Sequence, residues 1–252
     1  MSDDFTPYDP PKADLEHPPT GEVVGRDSVD IGEAIGFVFK DPDWTSKVLM
    51  VGLFSLIPIA GALAALGWQR RIFEAVRRGD PQPLPAIDFG DDLGRGVTPF
   101  VAVFTMALVF MFVIIGAQIL VIIPAVMGDA IGGAARDILG VVTMLFGLFA
   151  LLLQLVGSIG INVVMPEIVR RGHRGESVPL LSPGQSIRAV RADPMSLLMV
   201  VVGWFVAGMI GGLGIWLCFV GMFLTMPVAF AVQAHLAAQW DQVLVKKGAV
   251  EG

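Results

Sequence analysis

The chain is short of charge. Of its 252 residues only 16% are Asp, Glu, Lys or Arg, against 54% hydrophobic. Soluble domains carry about 25% charged residues. With a mean hydropathy of +0.72, the deficit excludes a water-facing globular enzyme and a disordered chain. Cysteine is nearly missing too. The single Cys218 excludes a disulfide scaffold, and within an apolar run it reads as inert packing. Three histidines, His17, His173 and His235, are too few and too scattered for a metal cluster or a nucleophile–base pair. A Gly-rich phosphate loop ending in Lys-Ser/Thr is missing, and a net charge of −6 argues against a nucleic-acid partner. These deficits point to a non-catalytic membrane protein with no cofactor.

The charges present are grouped. Residues 1–47 hold 11 acids and 4 bases, 70–95 hold five of each, and 167–193 hold five bases and three acids. Between the charged groups lie four uncharged runs, 48–69, 96–128, 138–166 and 194–240, of 22, 33, 29 and 47 residues. A spanning helix needs about 20 apolar residues, and a buried charge costs it about 2.5–3.5 kcal/mol at the bilayer centre. The second and third runs read as one long helix each. The fourth reads as two, broken at Gly211-Gly212-Leu213-Gly214. The first allows either a single span or a short hairpin bent at Ile57-Pro58-Ile59-Ala60-Gly61.

One short motif occurs three times: Val76-Arg77-Arg78-Gly79, Val169-Arg170-Arg171-Gly172 and Val245-Lys246-Lys247-Gly248. Lys or Arg followed by Gly suits a helix C-terminus, and basic residues near span ends stay cytoplasmic. Three returning helices with cytoplasmic exits give an all-α polytopic membrane bundle over 43–248. It consists of three hairpins, about 43–79, 97–171 and 195–240. That makes six helices, the first hairpin short and both termini in the cytoplasm. A five-span alternative uses Trp44 and Trp68 as two aromatic belts about 36 Å apart and puts the N-terminus outside. The 128–137 loop and the 211–214 turn leave the outer face almost bare.

Residues 1–27, with five prolines and seven acids, predict a disordered acidic tail. Residues 28–40 predict an interfacial amphipathic helix, capped by Ser28 or Asp27, with Ile31, Ala34, Ile35 and Val38 on one face. The segments around Leu93-Gly94-Arg95 and Ile187-Arg188 read as short surface helices leading into the following spans.

Inside the spans the polar residues are few. Gln154, Ser158 and Asn162 recur at i, i+4 and i+8, and Gln118, Thr225 and Gln233 are candidates to face them. Such a stripe either hydrogen-bonds helices together or lines a path for a neutral solute. Gly208 and Gly212 form a small-xxx-small pair for close packing, within the chain or between copies. Ion coupling leaves ionisable residues in spans, and these runs hold no Asp, Glu, Lys or Arg.

The series Phe39-Lys40-Asp41-Pro42-Asp43-Trp44, Lys47, Leu56-Ile57-Pro58-Ile59-Ala60-Gly61, Gly67-Trp68-Gln69-Arg70-Arg71, Gly79 and Leu84-Pro85-Ala86-Ile87-Asp88 resembles the uncharacterised prokaryotic multi-pass membrane proteins known as domain of unknown function 4013. The resemblance covers residues 36–96. It implies a polytopic cytoplasmic-membrane protein of six helices and carries over no functional residue. The hairpin plan loosely resembles the membrane domain beside glycerophosphodiester phosphodiesterases, an accessory to an enzyme that this sequence does not contain. The leading expectation is a scaffold, anchor or bilayer-shaping protein in the cytoplasmic membrane, with the lipid bilayer and a cytoplasmic or membrane protein as partners. Homo-oligomers are compatible with it. The alternative is a transporter or channel for a small neutral or lipidic substrate.

Overall fold

The computed structural model describes residues 23–80, 84–216 and 220–251, and among these the regular structure is helical. Most of the expected acidic tail, His17 and Cys218 lie outside the described residues.

Helix α1 (Ile31–Phe39) is capped by Asp30, whose carboxylate accepts from the Glu33 amide at 2.9 Å. Neither Ser28 nor Asp27 is the cap. The helix stops before Pro42, as the residue ahead of a proline is pushed out of the helical region. The face expected to lie on lipid packs within the protein: Ala34, Phe37 and Val38 are buried. Its cover includes a long helix described below.

The first uncharged run turns. Helices α2 (Trp44–Phe54) and α3 (Ala60–Arg77) flank a bend at 55–59, where Pro58 lacks an amide hydrogen and Ile59 adopts a left-handed φ of 63°. Eleven residues make only about 16 Å of helix, half a bilayer. Trp68 serves as core: it is fully buried, and its indole donates to the Pro85 carbonyl at 2.8 Å. The belt it would have formed in a five-span chain does not exist.

Helices α4 (Phe89–Ile131) and α5 (Gly133–His173) form a long hairpin closed by Gly132 and Gly133, both at positive φ. α4 starts under an Asp88 cap and absorbs the segment expected as a separate surface helix at Leu93. The second such segment is a helix of its own, α6 (Pro183–Ala192), after a 3-10 turn at Pro179–Leu181. Asp193 then caps α7 (Pro194–Trp216), accepting from the Ser196 amide at 3.0 Å. Helix α8 (Met222–Lys246) follows.

α7 runs on to Trp216 and α8 starts at Met222, so the break expected at 211–214 in the fourth run does not fall there. Gly211 and Gly214 stay helical and buried, because their missing side chains serve packing: a Cβ on Gly214 would overlap Thr225 and Met222 of α8. Gly203 also faces α8, at Leu236.

Among the described residues four helices, α4, α5, α7 and α8, are long and apolar enough to cross a membrane; α2 and α3, the short first hairpin of the six-helix expectation, are not among them. α2 has only eleven residues, and α3 carries Gln69-Arg70-Arg71 in its middle. α4 and α5 bury only 6% of their most apolar stretches inside the protein, whereas α8 buries 61%. The second half of α8 is thus the axis of the fold. Leu236, Trp240, Val243 and Leu244 are fully buried there, under α1, α2, α3, α5 and α7.

Candidate functional site

The polar stripe is real as a sequence pattern, but its bonds stay local. Ser158 donates to the Leu155 carbonyl at 2.8 Å and the Asn162 amide to the Ser158 carbonyl at 2.7 Å, both within α5. Asn162 and Gln118 are exposed, while Gln154 is half-buried. Thr225 looks elsewhere, donating to the Gly211 carbonyl of α7 at 2.9 Å. Gly208 and Gly212 have nothing within 4 Å of a would-be Cβ, so neither takes part in packing within the chain.

Polar groups converge at the other end of the bundle, where the copies of the basic motif meet. Asp241, fully buried on α8, is the centre. Arg170 of the second copy donates to its Oδ1 at 2.6 Å. Arg174, one turn further, reaches the same oxygen at 3.0 Å. Arg77 of the first copy brings its Nε to 2.6 Å from Oδ2, as an ion pair without hydrogen-bond geometry. Glu167 completes the group through two bonds of 2.8 Å to the Arg170 guanidinium. Gln242 donates to the Val76 carbonyl at 2.7 Å, so the C-terminus of α3 is held by the next residue as well.

Aromatic faces enclose these charges. The Arg170 guanidinium lies 5.4 Å from the Trp240 ring and that of Arg77 lies 5.5 Å from Phe73, each a cation–π contact. Three arginines against two carboxylates leave one positive charge. Removing such charges from water costs several kcal/mol per ion, offset only by good geometry and full pairing. Beside them His173, 1% exposed, packs on Phe73 at 5.3 Å, and among the described residues neither ring nitrogen has a hydrogen-bond partner.

The third copy of the motif reaches the same end by a different bond: Lys247 pairs with Asp193 at 2.9 Å. Burial pushes the Asp193 carboxyl up, but the bonds from Ser196 and Lys247 outweigh it and hold the group below the usual aspartate range. Arg171 is buried too, bonded to Glu176 and to the Pro179 carbonyl at 3.0 Å. It thereby fixes the loop that leads into α6. Both described ends of the chain come here: the Val24 amide donates to the Arg77 carbonyl at 3.0 Å, and Arg174 donates to the Glu251 carbonyl.

A second constellation explains the motif over 39–88. Lys47 donates to Asp41 at 2.5 Å and to the Leu84 carbonyl at 2.9 Å. Burial raises the Asp41 carboxyl, yet Lys47 and the amides of Asp43 and Leu84 pull it below the usual range. Arg71 grips Asp92 through two bonds of 2.7 Å and also the Ala86 carbonyl. At the same crossing a Cβ on Gly67 would strike the Asp92 carbonyl, and one on Gly96 the Leu63 carbonyl. Backbone touches backbone there, so these residues lash the 84–88 segment across α2, α3 and α4.

The partners in the first constellation, Asp241 and Glu167, were missed in the sequence. Their signal was present as single acids a few residues before a basic pair. His235 lies against Phe37 at 4.7 Å, and its Nδ1 is 3.0 Å from the Gln239 amide. A family model described as "Protein of unknown function (DUF4013)" matches residues 50–237. No curated protein and no solved structure matches the chain.

Proposed function

The chain belongs to the DUF4013 family of proteins of unknown function, and on the geometry of its charged base we propose that it is a non-catalytic, multi-pass anchor or scaffold of the cytoplasmic membrane. The observation that carries the reading is the convergence of α3, α5 and α8 on one buried carboxylate, Asp241. Transport by alternating access needs one group of helices to rock against another. Helices tied to a shared charge cannot separate without stranding it, so the base is a fixed platform.

Orientation follows from the charges around that platform. Exposed Arg78, Arg188, Arg191, Lys246 and Lys247 all lie at or near it. The far end of the α4–α5 hairpin offers Arg136 against Asp129 and Asp137. The base is then cytoplasmic and both termini lie inside. The α2–α3 bend enters the bilayer part-way and returns, leaving four spans. The acidic charges of residues 1–27 suit a tether for a cytoplasmic or membrane protein partner.

The test is a mild-detergent purification of the full-length protein from its host, with a variant lacking residues 1–27 as control and the bound proteins read by mass spectrometry. A stoichiometric partner that disappears with the tail is the expected result. A partner-free preparation that moves a neutral solute across vesicles, and loses that flux in Gln154→Leu or Asn162→Leu while staying folded, would overturn the anchor in favour of a transporter.

A further inference from the structure

A cavity of about 510 Å³ lies between α2, α3 and the first turns of α8, within the usual size range of small-molecule sites. Gly52, Ala65, Leu66, Phe223 and Met226 line it, and no charged residue does. One polar side chain stands out on this wall. Gln69 is 5% exposed, and among the described residues its amide has no hydrogen-bond partner. An amide on an apolar wall with no partner in the protein is free to donate its N–H to a ligand that accepts it. Ser55, the other polar residue of the lining, already donates to the Val51 carbonyl at 2.8 Å.

The position of Gln69 along α3 narrows the ligand. It is the last residue of the uncharged run 48–69, and Arg70 and Arg71 follow it directly. Gln69 therefore marks the border between the apolar and polar zones of the helix. The cavity runs from there toward the α2–α3 bend, whose Leu56, Ile57 and Ile59 are exposed apolar residues at 60%, 44% and 69%. Its lining includes exposed Ala62 and Met226. An apolar slot with one amide donor at the polar border matches a glycerolipid, whose ester carbonyls sit at the bilayer interface above its chains. The slot also resists collapse, since Gly52 rests on the Phe223 backbone and holds α2 at a fixed distance from α8.

We propose that this cavity binds one acyl chain of a membrane glycerolipid, with the Gln69 amide donating to that chain's ester carbonyl. The proposal goes beyond the anchor reading and stands without it, because it concerns a different part of the fold and has a different readout.

The experiment uses the full-length protein in vesicles of phosphatidylglycerol. A trace of the same lipid carries a diazirine on one acyl chain, and cross-linked peptides are mapped by mass spectrometry. A second preparation uses the ether-linked analogue, which has the chain without the carbonyl. Ester lipid is expected to label peptides from α2, α3 and the start of α8, and ether lipid to label them about threefold to tenfold less, the worth of one hydrogen bond. Gln69→Leu should erase that difference. Ala62→Trp, placed at an exposed position, should abolish labelling of the lining while leaving the thermal melt unchanged. Labelling confined to the open faces of α4 and α5, or equal labelling by ester and ether lipid in the parent protein, would overturn the proposal.

Discussion

Replacing Asp241 with alanine is expected to destabilise the protein by about 3–5 kcal/mol, the cost of breaking a buried ion pair by removing one partner. The reason is the number of charges left behind. Arg170 retains Glu167, but Arg77 and Arg174 lose the carboxylate that meets both of them. A detergent thermal melt should show the midpoint falling on the order of 10 °C. Asp241→Asn keeps the shape and removes the charge, so it separates the ionic part from the packing part. Adding Arg77→Met to Asp241→Asn should recover part of the loss, because it removes one stranded cation. A melt unchanged by Asp241→Ala would mean that water already serves these guanidiniums and that the base is not locked.

Alanine at Gly67 or Gly96 is the second large effect. Overpacking an interior usually costs about 1–3 kcal/mol. Here the added methyl meets a carbonyl of the neighbouring helix at each position, and backbone cannot swing aside as a side chain does. Helices α3 and α4 must part, which also pulls Arg71 away from Asp92. The loss should exceed that range in Gly67→Ala/Gly96→Ala and show as poor recovery of folded protein on size exclusion. The control is Gly208→Ala with Gly212→Ala, where the new methyl groups meet nothing. That pair should fold and melt as the parent does. A parent-like melt in the Gly67 and Gly96 variants would contradict the close crossing.

Much of the fold was legible because lipid imposes a simple code. Long charge-free runs gave α4 and α5 nearly whole, and the proline-centred bend at 58 was visible as one of two readings. The errors have specific physical origins. Gly211 and Gly214 were read as a turn, since glycine serves both turns and close packing and only the facing helix decides between them. The repeated exits implied three returning helices and so six helices with a short first hairpin; α2, at eleven residues, is about half a bilayer long, and among the described residues four helices have spanning length and composition. That Ala34 and Val38 of α1 are buried within the protein was not legible, because an amphipathic face looks the same whether it meets lipid or α8.

The candidate site was legible in half. The basic motif and its common side were readable from charge alone. The acids that close the cluster were not, since Asp241 is 67 residues or more from every arginine it meets by count along the chain, and a lone acid gives no periodic signal. Gln69 was hidden for a similar reason. A lone glutamine at the end of an uncharged run gives no periodic signal, and only the fold places it on the wall of a cavity.

Site-specific labelling of single cysteines in intact cells, in a Cys218→Ala background, tests the arrangement most directly. Arg78, Ser177 and Glu251, each exposed near the three basic exits, and Ala134, exposed at the tip of the α4–α5 hairpin, would be replaced one at a time. The account predicts that a membrane-impermeant thiol reagent reacts with the cysteine at 134 and reaches the other three only after the membrane is opened. Reaction at 78, 177 or 251 in sealed cells would contradict it, because the three exits could then not share one cytoplasmic base around Asp241.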